Sequence, residues 1–172
     1  MQAPRICPDY IDSRVYSGII LFCASFWKNP PSYSVVIDEP PTNFPPEREI
    51  GGICRINAEN PAFNFAPSPG TIQYLLMPSG GNGLRVDSAM FAGADIPPYY
   101  DAMIAKIITK GANRAEAIAK MQRALGEMVI DGIISNQFFQ EDLLMDKRFV
   151  NGEYDTSFLQ DVFLKEWKPR IE

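Results

Sequence analysis

Residues 103–128, MIAKIITKGANRAEAIAKMQRALGEM, combine an apolar strand, a stop and an amphipathic helix. The run 103–109 is apolar and rich in β-branched residues, which favours a strand, and Gly111 ends it. Asn113 is followed three residues later by Glu116, the spacing of a capping box, so we expect a helix to begin there. Apolar residues then recur at three- and four-residue steps, which predicts one inward-facing stripe on the helix: Ile118, Met121, Leu125 and Met128.

Shorter runs of strand character lie upstream, at residues 54–59, 71–77 and 84–91. They are separated by turn residues, such as the APSPG sequence at 66–70. The glycine loop at 80–83 could cradle a phosphate, but no helix opening with Gly-Lys-Ser/Thr follows it. A plain hairpin connection between the second and third runs is therefore the favoured interpretation of this loop.

The remaining elements lie downstream of the central helix. Residues 129–134 predict a further strand, Asn136 is placed to cap a short helix that runs through Met145, and Thr156 opens a last helix. Strands thus come first and helices later. This order predicts the α+β class, with an antiparallel sheet or half-barrel followed by packed helices.

Proline content divides the chain into two parts. Eight of the 15 prolines fall within residues 1–50. The run DEPPTNFPPERE at 38–49 is incompatible with a helix or an inner strand, because proline lacks a donor and restricts the residue before it, so we interpret this run as an extended linker. We therefore place a boundary near Ile50, with an unassigned proline-rich segment over 1–50 and a folded domain over 51–172.

Charge and residue content exclude several classes of function. With 16 Lys+Arg against 21 Asp+Glu and a pI near 4.8, the chain lacks the basic balance of a nucleic-acid-binding protein. It contains no histidine. That absence rules out histidine-based zinc sites and the Ser-His-Asp and Cys-His forms of nucleophilic catalysis.

The cysteines and the N-terminal apolar run bear on location. Cys7, Cys23 and Cys54 are odd in number and have no metal-site spacing, which favours a reducing, cytoplasmic compartment. The apolar run at 15–27 is shorter than the roughly 20 residues of a membrane-spanning helix. We favour buried strands over a signal peptide for this run, because acidic residues precede it and no cleavage motif follows.

Arg85 is the strongest candidate for a functional residue. It follows the glycine loop directly and alternates with Leu84 and Val86, so it points away from their face. An arginine in this position can present its planar donor fork to a carboxylate, phosphate or enolate. On residue chemistry alone, a solvated arginine or one paired with Asp87 is the favoured alternative.

Several long motifs resemble the C-terminal domain of biotin carboxylase, a subunit or domain of acetyl-CoA carboxylase and related enzymes. The segments occur in the order and with the spacing of that family over roughly residues 54–165. They are CRINAENPAFNFAPSPG (54–70), GGNGLRVDS (80–88), IPPYYDAMIAKII (96–108), NRAEAIAKMQRAL (113–125), VIDGIISN (129–136) and GEYDTSFL (152–159).

The resemblance implies part of an ATP-dependent ligase. That enzyme activates bicarbonate with ATP and magnesium and carboxylates biotin on its carrier protein. This reaction is the first step of acetyl-CoA carboxylation in fatty-acid synthesis. Because related pyruvate and propionyl enzymes share the motifs, the molecule that finally accepts the carboxyl group stays open. Arg85 matches the arginine that stabilises the biotin enolate, and thereby becomes the expected catalytic and substrate-binding residue. Asp101 and Lys106 fall in the matching PPYYDxMIxK segment, where we expect supporting or structural roles.

The departures from the family limit what the chain is expected to do alone. The ATP-grasp region, with its glutamate metal ligands and a run ending in Glu-His, has no counterpart here, so we expect no nucleotide or metal site in this chain. Two hypotheses follow. One is a C-terminal part of a biotin carboxylase that works with the carrier protein, as a homodimer or with a full-length enzyme; the other is a non-catalytic fragment acting only as a structural or dimerisation module. Neither implies a nucleic-acid or membrane partner.

Overall fold

The computed structural model of the chain describes residues 34–38, 50–99 and 101–170, with the backbone alone for 34–38 and Ile50. The strands are β1 (Ser34–Asp38), β2 (Ile50–Asn57), β3 (Glu59–Asn60), β4 (Ala66–Pro67), β5 (Gly70–Thr71), β6 (Tyr74–Leu76), β7 (Leu84–Asp87), β8 (Asp95–Ile96), β9 (Met103–Gly111) and β10 (Val129–Asp131). The helices are α1 (Arg114–Glu127), α2 (Gln137–Met145), α3 (Lys147–Asn151) and α4 (Leu164–Glu166), with a 3₁₀ turn at Pro61–Phe63 and a π-helical segment at Leu159–Phe163.

One four-stranded antiparallel sheet organises the molecule, with the order β1-β2-β9-β7. Three two-stranded antiparallel sheets, β10-β6, β3-β4 and β5-β8, surround it. The sheets are open, and helices follow the strands in the chain. The predicted α+β class, with an antiparallel sheet followed by packed helices, is therefore confirmed.

The core lies between this sheet and α1. The predicted stripe of α1 is confirmed, because Ile118, Met121, Leu125 and Met128 are all buried. The predicted N-cap is also present, because the Asn113 side chain accepts a hydrogen bond from the Glu116 amide at 2.9 Å. The Glu116 carboxylate reaches back to the Ala112 amide at 2.8 Å, one residue before the cap, and not to the Asn113 amide of a complete capping box. The sequence thus specified where this helix begins and which face it buries.

The start of α2 differs from the prediction. Asn136 occupies the position before the helix, but its side chain does not cap it. Instead its Oδ1 accepts from the Asn57 amide at 3.0 Å, and its Nδ2 donates to the Arg55 carbonyl at 3.3 Å. Asn136, a residue type that is common at helix N-caps, therefore links α2 to β2 instead, because the buried backbone amide of Asn57 requires an acceptor.

Several element boundaries are also corrected. The strand predicted at 71–77 is split into β5 and β6, the one at 84–91 ends at Asp87, and the one at 129–134 ends at Asp131. The hairpin predicted around the glycine loop is wrong, because β6 pairs with β10 and β7 pairs with β9. The last helix predicted from Thr156 is mainly the π-helical segment, which begins at Leu159 and buries Leu159 and Phe163.

The segment before Ile50 contributes β1, which pairs with β2 along its whole length. The boundary between residues 1–50 and 51–172 stays a prediction. The predicted strands at 15–27 and nearly all of the linker predicted at 38–49 lie outside the described residues.

Candidate functional site

The four-stranded sheet has one face away from α1, and this face carries the charged residues of interest. Residues that pair across antiparallel strands share a face. One row across the sheet is Ile53, Ile108 and Arg85, and the next is Arg55, Lys106 and Asp87. The sheet therefore brings Arg85 and Lys106, 21 positions apart in the chain, onto neighbouring strands of a single face.

Arg85 lies near the start of β7, in the edge strand beside β9. Its side chain is 73% exposed, and its Nε donates to Asp87 Oδ1 at 2.8 Å. This hydrogen bond and the charge of Asp87 raise the pKa of the guanidinium still further. Within the described part of the chain the two Nη groups of Arg85 have no hydrogen-bond partner, so they present a planar pair of donors to solvent.

The loop before Arg85 positions the strand that carries it. Gly83 has a φ of +75°, and a Cβ added there would lie 2.3 Å from the Lys110 carbonyl oxygen, so only glycine fits. The Gly83 carbonyl accepts from the Lys110 amide at 2.8 Å, and Lys120 Nζ donates to the Lys110 carbonyl at 2.8 Å. The glycine loop thus fits β7 closely against the end of β9.

Asp101 and Arg55 form an ion pair that sequence reasoning missed. Arg55 Nη2 lies 2.6 Å from both carboxylate oxygens of Asp101, and Asp101 Oδ1 also accepts from the Met103 amide at 3.1 Å. Asp101 therefore links the start of β9 to β2 through Arg55. Alternation along β2 predicts that Arg55 faces outward, but no local signal relates it to a residue 46 positions away.

Lys106 lies in the middle of β9, with Arg55 opposite on one side and Asp87 opposite on the other. It is exposed. Arg55, Arg85 and Lys106 place three cations on this face, two of which pair with Asp101 and Asp87, whereas the chain as a whole has a net charge of −5. A face of this kind favours anionic ligands or acidic surfaces.

A buried carboxyl group lies in β3, two residues beyond the end of β2. Glu59 is only 3% exposed, and Asn57 Nδ2 lies 3.4 Å from its Oε2. Burial raises the pKa of Glu59, opposed by the hydrogen bond from Asn57 and the charge of Arg55. Burial therefore disfavours the ionised form of Glu59.

Other candidate sites are distant from Arg85 or absent from the described residues. A cavity of about 260 Å³ lies between the start of α2 and Trp167–Arg170, walled by Ile130, Phe138 and Trp167, and Arg85 does not line it. Among residues 34–38, 50–99 and 101–170, no group of three or more Cys, Asp or Glu side chains is arranged to hold a metal ion. Within those same ranges no helix has the length and apolarity to cross a membrane.

The sequence of this chain is similar to a known domain family and to known carboxylases. The family model of the biotin carboxylase C-terminal domain matches residues 53–161. Biotin carboxylase 1 of Bacillus subtilis (strain 168) is 58% identical over 107 residues, which is 62% of this chain and 24% of that protein. The mitochondrial propionyl-CoA carboxylase alpha chain of Sus scrofa is 42% identical over 111 residues, which is 64% of this chain and 15% of that protein.

Solved structures agree with the sequence comparison. The biotin carboxylase domain dimer of Hydrogenobacter thermophilus 2-oxoglutarate carboxylase, in complex with MgADP, ADP and bicarbonate, has a TM-score of 0.65 and 33% identity, and the match covers 71% of this chain and 27% of that one. The chain thus spans about a quarter or less of the length of the proteins it resembles. Since the family model covers well over half of its residues, the chain belongs to the biotin carboxylase C-terminal domain family.

Proposed function

We propose that this chain is the C-terminal part of a biotin carboxylase, which carboxylates biotin on its carrier protein with ATP and bicarbonate. The observation that carries the proposal is Arg85. Its motif matches the family, and its two Nη donors face outward on a basic sheet face while Asp87 holds Nε. A fixed guanidinium in this position stabilises developing oxyanion charge by preorganised electrostatics.

The remaining residues of the face support Arg85 in this proposal. Asp87 restrains the guanidinium through a 2.8 Å hydrogen bond, and Lys106 adds positive charge on the adjacent strand. Asp101 acts at a distance by fastening β9 to β2 through Arg55. When bound, ATP and magnesium supply the activation of bicarbonate; among the described residues no cluster of carboxylates is suited to hold the metal.

A chimera tests the proposal directly. Residues 53–161 would replace the matching segment of the B. subtilis enzyme, to which the chain is 58% identical over 107 residues. We expect bicarbonate-dependent ATP turnover with biotin. R85A should lower kcat by about 10²–10³, the usual cost of removing one oxyanion donor. The matched control is R123A, because Arg123 is also an exposed arginine paired with a nearby carboxylate, Glu127.

Two results would contradict the proposal. A folded chimera without turnover would argue against a competent C-terminal part, and R85A with the activity of R123A would remove Arg85 from the catalytic machinery. We further propose that the 172-residue chain by itself neither binds nor hydrolyses ATP. Calorimetric titration with MgATP checks this, and a measurable heat of saturable binding would overturn it.

The second candidate function is a non-catalytic structural or dimerisation module. It is favoured by the dimeric state of the 2-oxoglutarate carboxylase domain that this chain resembles. Under this proposal the chain pairs with itself or with a full-length biotin carboxylase. Sedimentation of the chain mixed with a full-length enzyme checks it: a new species supports the module, and unchanged boundaries contradict it.

A further inference from the structure

The chain contains two asparagine–glycine pairs, Asn82–Gly83 in the glycine loop and Asn151–Gly152 at the end of α3, and both asparagines are exposed. In such a pair the backbone nitrogen of the glycine can attack the side-chain amide of the asparagine, because glycine has no Cβ to hinder the approach. The structure holds the two glycine nitrogens differently. The two pairs are therefore expected to react at different rates, although they have the same local sequence.

The Asn82–Gly83 peptide is the central unit of a tight turn. The Leu84 N–H closes the turn by donating to the Gly81 carbonyl at 3.1 Å, and Gly83 has a φ of +75°. The Gly83 carbonyl accepts from the Lys110 amide at 2.8 Å. By contrast, in the described part of the chain neither the Gly83 N–H nor the Asn82 carbonyl has a hydrogen-bond partner. The peptide between these two residues can therefore rotate without the loss of a hydrogen bond.

Two cations of α1 lie beside this turn. A Cβ added at Gly81 would lie 3.7 Å from Arg123 Nη2, and one added at Gly83 would lie 2.9 Å from Lys120 Nζ. Attack by a backbone nitrogen passes through a deprotonated amide and a tetrahedral oxyanion, and nearby positive charge favours both. Both cations also pair with carboxylates of α1, so their contribution is secondary to the freedom of the peptide.

The Asn151–Gly152 pair is held by the hydrogen bonds that end α3. The Gly152 N–H donates to the Phe149 carbonyl at 3.1 Å, and Asn151 Nδ2 lies 3.4 Å from Glu153 Oε1. The next amide, that of Glu153, donates to the Arg148 carbonyl at 2.8 Å. These bonds fix the peptide, so attack by the Gly152 nitrogen must first break its bond to Phe149.

We propose that Asn82 is a site of spontaneous deamidation in the folded chain and that Asn151 is protected from it. A bond forms between the Gly83 nitrogen and Asn82 Cγ, the Cγ–Nδ2 bond breaks, and ammonia leaves with the Gly83 amide proton. Water then opens the resulting succinimide at one of its two carbonyl groups, which gives aspartate or isoaspartate at position 82. Water is the only co-reactant, and nothing is oxidised or reduced. The proposal is independent of any carboxylase activity.

The reaction changes the loop that precedes Arg85. Aspartate at position 82 adds a negative charge three residues before Arg85. Isoaspartate also adds a methylene group to the backbone between Gly81 and Gly83, whose carbonyls are both hydrogen-bonded. Isoaspartate therefore changes the geometry of the turn that fixes the start of β7.

Incubation of the full chain at mildly alkaline pH, followed by tryptic digestion and mass spectrometry, tests the proposal. Trypsin cleaves after lysine and arginine, so Asn82 lies in the peptide 56–85 and Asn151 in the peptide 149–165. Deamidation adds about 1 Da, and fragment ions assign it to one residue. A parallel incubation in urea gives the rate of each pair without the folded structure.

In the folded chain we expect Asn82 to react about three- to tenfold faster than Asn151, the factor that follows when one hydrogen bond must break first. In urea the two pairs should react at similar rates. N82S should remove most of the acidic species that isoelectric focusing detects after incubation. N151S, the matched control at the other pair, should leave most of them in place.

Three results would overturn the proposal. Equal rates at the two pairs in the folded chain, or a faster reaction at Asn151, would show that hydrogen bonding of the glycine nitrogen does not select the site. A rate at Asn82 far below its rate in urea would show that the turn protects this residue. Acidic species that persist unchanged in N82S would show that the modified residue lies elsewhere.

Discussion

The two faces of the central sheet are built from alternate residues of the same strands. On the face toward α1, Cys54, Ile107 and Thr109 are each at most 1% exposed. On the other face, Arg85 and Lys106 are open to solvent. The first face is apolar and closely packed, whereas the second is basic and carries the candidate anion-binding residue.

The difference shows how one strand can serve stability and function at once. Neighbouring residues of a strand point to opposite faces, so Ile107 can be part of the core while Lys106 faces the solvent. Substitutions on the two faces are therefore expected to differ in kind. Changes on the α1 face should alter the free energy of unfolding, and changes on the basic face should alter ligand chemistry.

The largest expected difference is between I107A and I108A. Ile107 is fully buried, so I107A should destabilise the chain by about 2–5 kcal/mol through lost transfer energy and a cavity. Ile108, next to it on the half-buried face, should cost roughly 1 kcal/mol when replaced by alanine, because less of its apolar area leaves water. Urea unfolding of both variants measures this, and equal losses would contradict the assignment of the faces.

N136A should have the next largest effect. It removes the acceptor of the buried Asn57 amide, whereas the Arg55 carbonyl keeps a second donor, Gln140 Nε2. Leaving the Asn57 amide unpaired costs about 1–3 kcal/mol, which urea unfolding measures. If Asn136 were instead an ordinary helix cap, N136S and N136D would both be about as stable as wild type. We expect N136S to be destabilised like N136A, because the shorter serine side chain does not reach β2.

E59Q tests the electrostatics at the start of β3. Because burial raises the folded-state pKa of Glu59, the folded protein binds this proton more tightly than the unfolded chain. The contribution of Glu59 to wild-type stability should therefore be greatest below its unfolded-state pKa of about 4.5. It should fall as the pH rises through the folded-state pKa of Glu59 and then level off. E59Q should be more stable than wild type at pH 7 and lose that advantage in acid.

Thermal unfolding at several pH values, with E153Q as an exposed control, measures the effect. An advantage of E59Q that grows as the pH falls would contradict the sign.

The smallest expected effect on stability is that of R85A. Arg85 is largely exposed and pairs with Asp87 at the surface, a kind of pair worth about 0–1 kcal/mol. R85A should thus unfold within about 0.5 kcal/mol of the parent while the chimera loses turnover. A large loss of stability would make Arg85 a structural residue and would weaken its assignment as a catalytic one.

Local patterns in the sequence were sufficient for some elements and insufficient for others. The Asn113 cap and the apolar stripe of α1 were predictable because they depend on residues within a few turns of one another. The splitting of the strand after Gly70 was not, since β5 and β6 pair with distant partners, β8 and β10. The role of Asn136 was missed for the same reason: its partners lie on β2, about 80 positions earlier in the chain.

The candidate site divides in the same way. Arg85 was identified from its motif and from its position after the glycine loop, and its pairing with Asp87 was an alternative already open at two-residue spacing. Arg55 as the partner of Asp101 could not be predicted, because the contact spans 46 positions. The basic face as a unit exists only once β2, β9 and β7 are aligned.

The sequence by itself determined the α+β class, the family, the start and buried stripe of α1 and the choice of Arg85, because these depend on local spacing and on motifs along the chain. The tertiary structure decided which strands are neighbours, that Arg55, Arg85 and Lys106 share one face, and that β1 pairs with β2. The physical reason is that register between distant strands follows from cooperative packing against α1 and from backbone pairing, and neither is encoded within any single segment.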